Sequence, residues 1–180
     1  MTEKFIIEGI PDFYRIIALR KMRETPDVTF DVVPASMMPR VDAIDRVFHK
    51  RDAVSPGPVG GVKNPWYMHF HQDDNLLVLH GKRFVDIYVK SYGRILSFEV
   101  TPDEIVREGK LIYSGPAMLV WPRKVFHRIR SGEQGSMSVN LATRTKEFDI
   151  NTNFNIYDLD PDTGEYRLLR EGSKDQFPVD

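Results

Sequence analysis

The sequence contains no cysteine among its 180 residues. Without thiols the chain can form neither disulfides nor zinc-thiolate sites, and it has no cysteine nucleophile. Any metal chemistry must therefore come from histidine and carboxylate side chains. Five histidines and 26 acidic residues are present to supply it.

The chain also lacks a net charge of one sign and a long apolar run. Its 25 lysine and arginine residues nearly balance its 26 aspartate and glutamate residues, so no bulk field attracts it to nucleic acid or to an anionic membrane. No stretch approaches the roughly 18 continuous apolar residues of a membrane span, and no basic flank leads into an apolar N-terminal region. We therefore expect a cytoplasmic protein with neither nucleic acid nor a membrane as partner.

The length and composition fit a single domain. Hydrophobic residues make up 41% of the chain and charged residues 28%, proportions typical of a globular domain that buries its own core. Within 1–180 we expect an N-terminal helix and extended arm over 1–60. A barrel core over 61–145 and a C-terminal hairpin over 146–180 are expected to follow.

A short amphipathic helix is predicted in the first third of the chain. Between Ile10 and Met22, the apolar residues Phe13, Tyr14 and Ile17 share one helical face with Ile10. Several prolines then break the following segment into short extended pieces. This part of the chain is therefore predicted to be an arm rather than a long helix.

From Trp66 onward the pattern changes to that of β-strands. The β-branched residues Val85, Ile87 and Val89 stand at every second position, which is the period of a strand. Similar segments recur further along the chain, and residues 155–170 are typical of a hairpin. Many short strands at regular spacing predict an all-β fold, either a sandwich or a barrel.

The sequence around two neighbouring histidines carries the strongest chemical signal. In a strand, residues two apart point to the same face, so His69 and His71 can present two imidazoles side by side. Asp73, Asp74 and Asn75 follow and can offer a further oxygen ligand. Two imidazoles with a carboxylate suit a divalent iron, manganese, zinc, nickel or copper ion and leave coordination positions open.

This stretch resembles the first sequence motif of the cupin superfamily. That motif has two histidines separated by one residue, then an acidic residue and, later, a glycine. Here His69 and His71 are followed by Asp74, and Gly81 comes at the spacing that the motif gives between its acid and its glycine. The acid is aspartate where the family has glutamate, and it follows His71 more closely than the motif does.

A second segment resembles the second cupin motif, which runs from a glycine through a proline and a further glycine to a histidine and an asparagine. This chain has Gly115, Pro122 and His127 in that order. Lys124 stands where the motif has its second glycine, and Ser131 stands where it has asparagine. Because glycine permits a tight turn, Lys124 predicts a different turn geometry before His127.

The resemblance implies a double-stranded β-helix, or jelly-roll barrel, with one divalent metal ion inside. The implied ligands are His69, His71, His127 and one acid, for which Asp74 is the candidate from the motif. Cupin resemblance leaves oxygenase, isomerase and decarboxylase chemistry open. We expect an enzyme acting on a small polar molecule, with a non-catalytic protein that binds a sugar or an organic acid as the alternative.

Three further expectations concern the surroundings of the site. Tyr67 has the strand parity of His69 and could donate a proton or a hydrogen bond to a small-molecule substrate. His49 lies in a charged stretch and is predicted to be at the surface rather than in the site. Because small barrels leave edge strands that need cover, a homodimer is also expected.

Overall fold

The computed structural model describes residues 5–38 and 40–177, and fifteen β-strands make up most of this part of the chain. The strands are β1 (Ile6–Ile10), β2 (Tyr14–Ala18), β3 (Arg20–Thr25), β4 (Val28–Val32), β5 (Ala43–His49), β6 (Val54–Ser55), β7 (Trp66–Met68), β8 (Gln72–Tyr88), β9 (Leu96–Val100), β10 (Glu104–Arg107), β11 (Lys110–Ser114), β12 (Ala117–Trp121), β13 (Phe126–Arg144), β14 (Ile156–Asp160) and β15 (Glu165–Arg170). One helical turn, α1 (Ile150–Asn153), precedes β14, and short 3-10 turns occupy Ala35–Met37 and Gly172–Asp175.

Two long antiparallel strands, β8 and β13, organise the main sheet. The first half of β8 pairs with the second half of β13, as in Leu76 opposite Asn140. The second half of β8 pairs with the first half of β13, as in Val85 opposite Ile129. β12, β2 and β1 extend the sheet beside the first stretch, and β9, β10 and β11 extend it beside the second. Each long strand therefore belongs to both halves of the fold.

The two halves meet where both long strands bend. Gly81 of β8 lies opposite Ser136 of β13, and the register of the pair shifts beside this point. Gly81 and Gly135 both have a φ of 71°, a left-handed conformation that favours glycine. A Cβ atom added to Gly81 would lie 2.1 Å from the carbonyl oxygen of Gly135. The bend therefore depends on glycine for its conformation and for the close approach of two backbones.

The core lies between the two halves. Leu76 from the first half of β8, Val85 and Ile87 from its second half, and Leu119 from β12 are all buried in one apolar cluster. Full burial of such a side chain contributes about 1.5–3 kcal/mol. Since the same strand supplies both walls of this cluster, its burial keeps the sheet folded over on itself.

The helix predicted between Ile10 and Met22 is wrong, because this segment forms strands. Asp12, with a φ of 59°, lies in the turn between β1 and β2, and β2 then pairs with both β1 and β12. Ile16 packs in the main core and Ile17 in a separate cluster on the other face of β2. A strand buried on both faces has a continuous apolar run, and a short run of this kind matches the helical period as well.

The prediction of an all-β fold is confirmed, apart from that N-terminal helix. β14 and β15 pair as a hairpin. The division into segments 1–60, 61–145 and 146–180 stays a prediction, and residues 1–4, 39 and 178–180 of it lie outside the described residues. Within the described ranges, no helix has the length and apolar character needed to cross a membrane.

Candidate metal centre

Three side chains with metal-binding atoms converge inside the fold: His69, Asp74 and His127. Their ligand atoms all lie within 4.8 Å of one another. Each side chain is buried, with residue exposures of 4%, 4% and 5%. They come from three places in the chain, namely the link between β7 and β8, the start of β8, and the start of β13.

Backbone pairing brings His69 and His127 together. His127 lies opposite Tyr67 in the pairing of β13 with β7, so the residues that follow β7 lie beside the start of β13. The carbonyl oxygen of His69 accepts a hydrogen bond of 2.7 Å from the backbone N–H of Lys124. Lys124 has a φ of 67°, the left-handed conformation that a glycine favours. The expectation that lysine changes this turn is therefore wrong.

The pleat of β8 selects Asp74 from the three candidate oxygen ligands. Asp73 points elsewhere, accepting a 2.8 Å hydrogen bond from the backbone N–H of Arg123. The Asn75 amide donates to the carbonyl oxygen of Leu141 at 2.6 Å. Asp74, between them, is the one that lies beside the two histidines, because successive side chains of a strand point to opposite faces.

The Asp74 carboxylate is oriented by two amides. Its Oδ1 accepts hydrogen bonds from Gln72 Nε2 at 2.9 Å and from Asn140 Nδ2 at 2.7 Å. Its Oδ2 is the atom that faces the imidazoles, 3.3 Å from His69 Nε2 and 3.9 Å from His127 Nε2. One carboxylate oxygen is therefore fixed by the protein and the other points into the space between the histidines.

The hydrogen bonds of the two rings fix which nitrogen faces Asp74 without a proton. His69 Nδ1 contacts the backbone carbonyl of Asn153, and His127 Nδ1 lies 3.3 Å from that of Val125. A carbonyl oxygen only accepts, so Nδ1 donates in each ring and Nε2 of the neutral imidazole carries a lone pair. The lone pairs of the two Nε2 atoms then face the negatively charged Oδ2 of Asp74 and repel it. This arrangement is favourable only when a proton or a cation lies between the nitrogen atoms and the oxygen.

The distances fit a metal ion. Ligand atoms about 2.1 Å from one ion, at angles between octahedral and tetrahedral, lie about 3.0–3.5 Å apart. The 3.3 Å separation between His69 and Asp74 falls in that range, and the 3.9 Å separation from His127 needs only a small adjustment. Hydrogen bonds from ligand rings to carbonyl groups are typical of the surroundings of protein metal sites. The residues therefore suit a divalent transition metal.

His71 does not join this group. Its Nδ1 lies 3.0 Å from the Thr145 hydroxyl, and the ring is only half-buried. Two histidines two positions apart share a face only within an unbroken strand, but β7 ends at Met68 and β8 begins at Gln72. The link between them turns, so the parity of a strand does not hold across these residues.

A cavity of about 130 Å³ adjoins the three side chains. Tyr67 lines it as expected, with its ring centroid 5.9 Å from that of His127. Burial raises the pKa of the Tyr67 hydroxyl above its ordinary value. The hydroxyl therefore keeps its proton at neutral pH and can act as a hydrogen-bond donor in the cavity.

Sequence reasoning missed several groups around the cavity. His49, predicted at the surface, is only 8% exposed and lines the cavity wall, so that prediction is wrong. Gln72, Asn140 and Arg83 were not singled out, although all three line the same cavity. Their roles follow from pairings between distant strands, which no local pattern in the sequence indicates.

Two of the buried histidines, His49 and His127, predict a pH dependence of stability. Burial, followed by the neighbouring charge of Arg83, lowers the pKa of His49 to about 4, and burial followed by His69 lowers that of His127 to about 4. In the unfolded chain both histidines titrate near pH 6.5. Between pH 6.5 and 4 they therefore bind more protons in the unfolded chain than in the folded chain. Stability is therefore lost as the pH falls through this window.

Lowering the pH of the metal-free protein from 7 to 5 should cost about 2 kcal/mol of unfolding free energy for each of these histidines. Urea unfolding at several pH values measures this. His49→Gln, which cannot titrate, should lose close to half of the pH dependence. An unchanged pH dependence in that variant would show that His49 is not a buried neutral group.

No protein family model and no curated protein matches this chain. Among solved structures it is similar to a 3,4-ketoisomerase from Helicobacter canadensis, with 12% identity and a TM-score of 0.51 over 74% of this chain and 85% of that chain. It is also similar to QdtA, a sugar 3,4-ketoisomerase from Thermoanaerobacterium thermosaccharolyticum in complex with TDP, with 10% identity and a TM-score of 0.52 over 78% and 85%.

A variant of the same QdtA enzyme in complex with TDP-4-keto-6-deoxyglucose matches at 11% identity, with a TM-score of 0.51 over 78% of this chain and 85% of that chain. At sequence identities of 10–12%, these similarities are evidence for a shared fold and not for a shared activity. The chain therefore shares the β-barrel fold of these ketoisomerases. That part of the sequence-based prediction is confirmed.

Proposed function

We propose that this protein is a metal-dependent enzyme acting on a small polar molecule, with one divalent metal ion held by His69, Asp74 and His127. The observation that supports it most strongly is the position of Asp74 Oδ2, which faces the Nε2 lone pairs of two imidazoles at 3.3 and 3.9 Å. Imidazole and carboxylate ligands suit iron, manganese, zinc, nickel or copper. Three protein ligands leave coordination positions open to a substrate.

A divalent ion held by His69, Asp74 and His127 would polarise a carbonyl or enolate oxygen of the substrate. The chain's own residues then hold and move protons. Tyr67 is protonated at neutral pH and lines the cavity, so it can donate a proton to a substrate oxygen. Asp45 also lines the cavity, and its Oδ2 accepts a 3.1 Å hydrogen bond from Asn140, the amide that also holds Asp74. Its carboxylate can accept a proton from a carbon next to the carbonyl.

Proton transfer at a carbon beside a carbonyl is the chemistry of keto isomerisation. The solved structures with a similar fold include ketoisomerases, which adds to the case without deciding it, because one fold hosts many activities. Isomerase chemistry is therefore the class we propose. Oxygenase or decarboxylase chemistry, and ligand binding without turnover, are the alternatives that the experiment below separates.

The proposed function predicts metal-dependent exchange of substrate protons. A panel of small ketones, oxo acids and keto sugars is incubated with the protein in D₂O, with Mn(II), Fe(II) or Zn(II) or with a chelator. Mass spectrometry should then show deuterium beside the carbonyl of at least one compound, only when metal is present. Tyr67→Phe should slow the exchange by about 10²–10⁴-fold, the usual contribution of a positioned acid or base.

His71→Ala serves as the matched control, since His71 lies outside the proposed site, and it should exchange at the wild-type rate. Exchange that is equally fast with a chelator would contradict the metal-dependent mechanism. Consumption of dioxygen or release of carbon dioxide would assign the oxygenase or decarboxylase class instead. Metal uptake and ligand binding with no reaction of any panel compound would favour the non-catalytic alternative.

We also propose that the chain forms a homodimer. β3 and β4 form a two-stranded sheet of their own, and Val28 and Phe30 on β4 are 49% and 42% exposed. A two-stranded hairpin is only marginally stable in water by itself, so packing against a second copy would stabilise it. Light scattering should give twice the mass of one chain, and Phe30→Lys should lower it. A single-chain mass for the wild type would overturn this proposal.

A further inference from the structure

The cavity beside the metal centre contains a buried cation for which residues 5–38 and 40–177 supply no acidic partner. Arg83, on β8, is 1% exposed. Its Nε donates to the Ser136 hydroxyl at 3.1 Å and its Nη2 donates to the carbonyl oxygen of Val47 at 3.0 Å. Among the residues that the structure describes, no carboxylate lies within ion-pair distance of this guanidinium.

A guanidinium buried in this way keeps its charge. Burial lowers the pKa of Arg83 to about 10, which leaves it protonated at neutral pH. Removing a cation from water is costly unless an anion or several strong acceptors compensate it. Two neutral acceptors satisfy only part of the five-donor group. The charge is therefore incompletely compensated by the part of the chain described here.

Three other polar groups of the same cavity lack hydrogen-bond partners in the described part of the chain. His49 Nδ1, Trp121 Nε1 and Ser138 Oγ are buried and have no hydrogen-bond partner among the described residues, and all three residues line the cavity with Arg83. Buried polar groups are normally satisfied, and each exception needs an explanation. Because an indole N–H and a guanidinium can only donate, the complementary ligand must be rich in acceptors.

The charged side chains around the cavity differ in sign from one end to the other. Arg83 lies two positions after Gly81, at the bent end of the fold, and His49 lies opposite Ser136 near the same bend. At the other end, Asp74 and Asp45 share hydrogen bonds with the amide of Asn140. Two carboxylates at one end and an unpaired guanidinium at the other orient an anionic ligand with its negative group toward Arg83.

We propose that Arg83 binds the carboxylate of a small organic acid, with donors from the surrounding cavity wall, while the other end of this acid lies at the metal centre. The placement of that other end rests on the proposed function. Arg83 provides a planar pair of donors that matches a carboxylate. A phosphate dianion fits less well, since Arg83 is the single lysine or arginine on the described cavity wall. A volume of about 130 Å³ has room for a molecule about the size of benzene, with about six non-hydrogen atoms.

Calorimetric titration of the full chain tests this inference. The probes are short-chain carboxylates of two to six carbons, with and without an oxo group, each paired with its uncharged primary amide. Each pair is measured on metal-free protein and on protein loaded with Mn(II). At least one acid should bind in both states, at least tenfold more tightly than its amide. Arg83→Met should weaken binding of that acid by about thirtyfold or more, as expected when one partner of a buried charge pair is removed.

A second readout in the wild type keeps the test independent of whether Arg83→Met folds. The charge of Arg83 contributes to the lowered pKa of His49. An acid bound to Arg83 offsets this charge, so the His49 imidazole, followed by NMR, should have a higher pKa with the acid than with the matched amide. Equal pKa values with the two probes would contradict binding at Arg83.

Acids and amides that bind equally, a panel in which no acid binds, or unchanged acid binding by a folded Arg83→Met protein would each overturn the inference. These results are distinguishable from failure of the proposed function. If the protein takes up no metal but binds an acid through Arg83, the anion site stands and the metal centre falls. If metal is bound at His69, Asp74 and His127 but no acid binds, the metal centre stands and the anion site falls.

Discussion

His69→Ala is expected to abolish stoichiometric metal uptake. The variant removes one of the three ligand atoms within 4.8 Å of one another, and it exposes Asp74 Oδ2 to an emptied side of the site. A metal that binds only the folded state stabilises it by about 2.7 kcal/mol at a hundredfold excess over its dissociation constant. The wild type should therefore gain several degrees in melting temperature on adding Mn(II) or Zn(II), and the variant should gain none.

The matched control is His71→Ala, because it removes the same kind of side chain two positions away. His71 contacts Thr145 instead of the metal-binding group. It should keep one equivalent of metal and nearly the full rise in melting temperature. Loss of metal in His71→Ala, with retention in His69→Ala, would show that the first motif binds through the other histidine and would contradict the geometry described above.

Gly81→Ala is expected to destabilise the protein by more than about 3 kcal/mol, a size reached only by disruptive substitutions. Its added Cβ atom would lie 2.1 Å from the carbonyl oxygen of Gly135 while the residue holds a φ of 71°. That oxygen belongs to the backbone, so relief requires the bend of β8 and β13 to move. The free energy of unfolding in urea measures the loss.

Gly109→Ala separates the cost of the left-handed backbone conformation from the cost of the close approach of two backbones. Gly109 has a φ of 74°, but nothing lies within 4 Å of its added Cβ. This control should therefore lose only about 1–2 kcal/mol, the usual cost of a left-handed conformation. Equal losses in Gly81→Ala and Gly109→Ala would show that the approach of the two backbones at the bend contributes nothing to stability.

The strands and two of the histidines could be predicted because their signals are local. Val85 and Ile87 occupy alternate positions of the strand and line the core as the strand period requires. His69 and His127 occupy positions in two separate motifs, and the fold brings them together. Asp74 was one of three candidates, and only the pleat of β8 distinguishes it from Asp73 and Asn75.

The remaining features depend on contacts between distant parts of the chain. The segment around Ile16 and Ile17 fits a helical period until its pairing with β1 and β12 is known. The parity that joined His71 to His69 fails because the strand breaks between Met68 and Gln72. Arg83 resembles any arginine of a β-strand in the sequence, and only its burial beside the cavity distinguishes it.

The most direct test of the metal centre is anomalous diffraction from crystals of the untagged protein soaked with Mn(II) or Zn(II). One peak is predicted, at about 2.0–2.2 Å from His69 Nε2, Asp74 Oδ2 and His127 Nε2, the bond lengths of such ligands. No peak is predicted beside His71. A crystal soaked at saturating metal that shows no peak between these three atoms, or shows its peak at His71, would contradict the account.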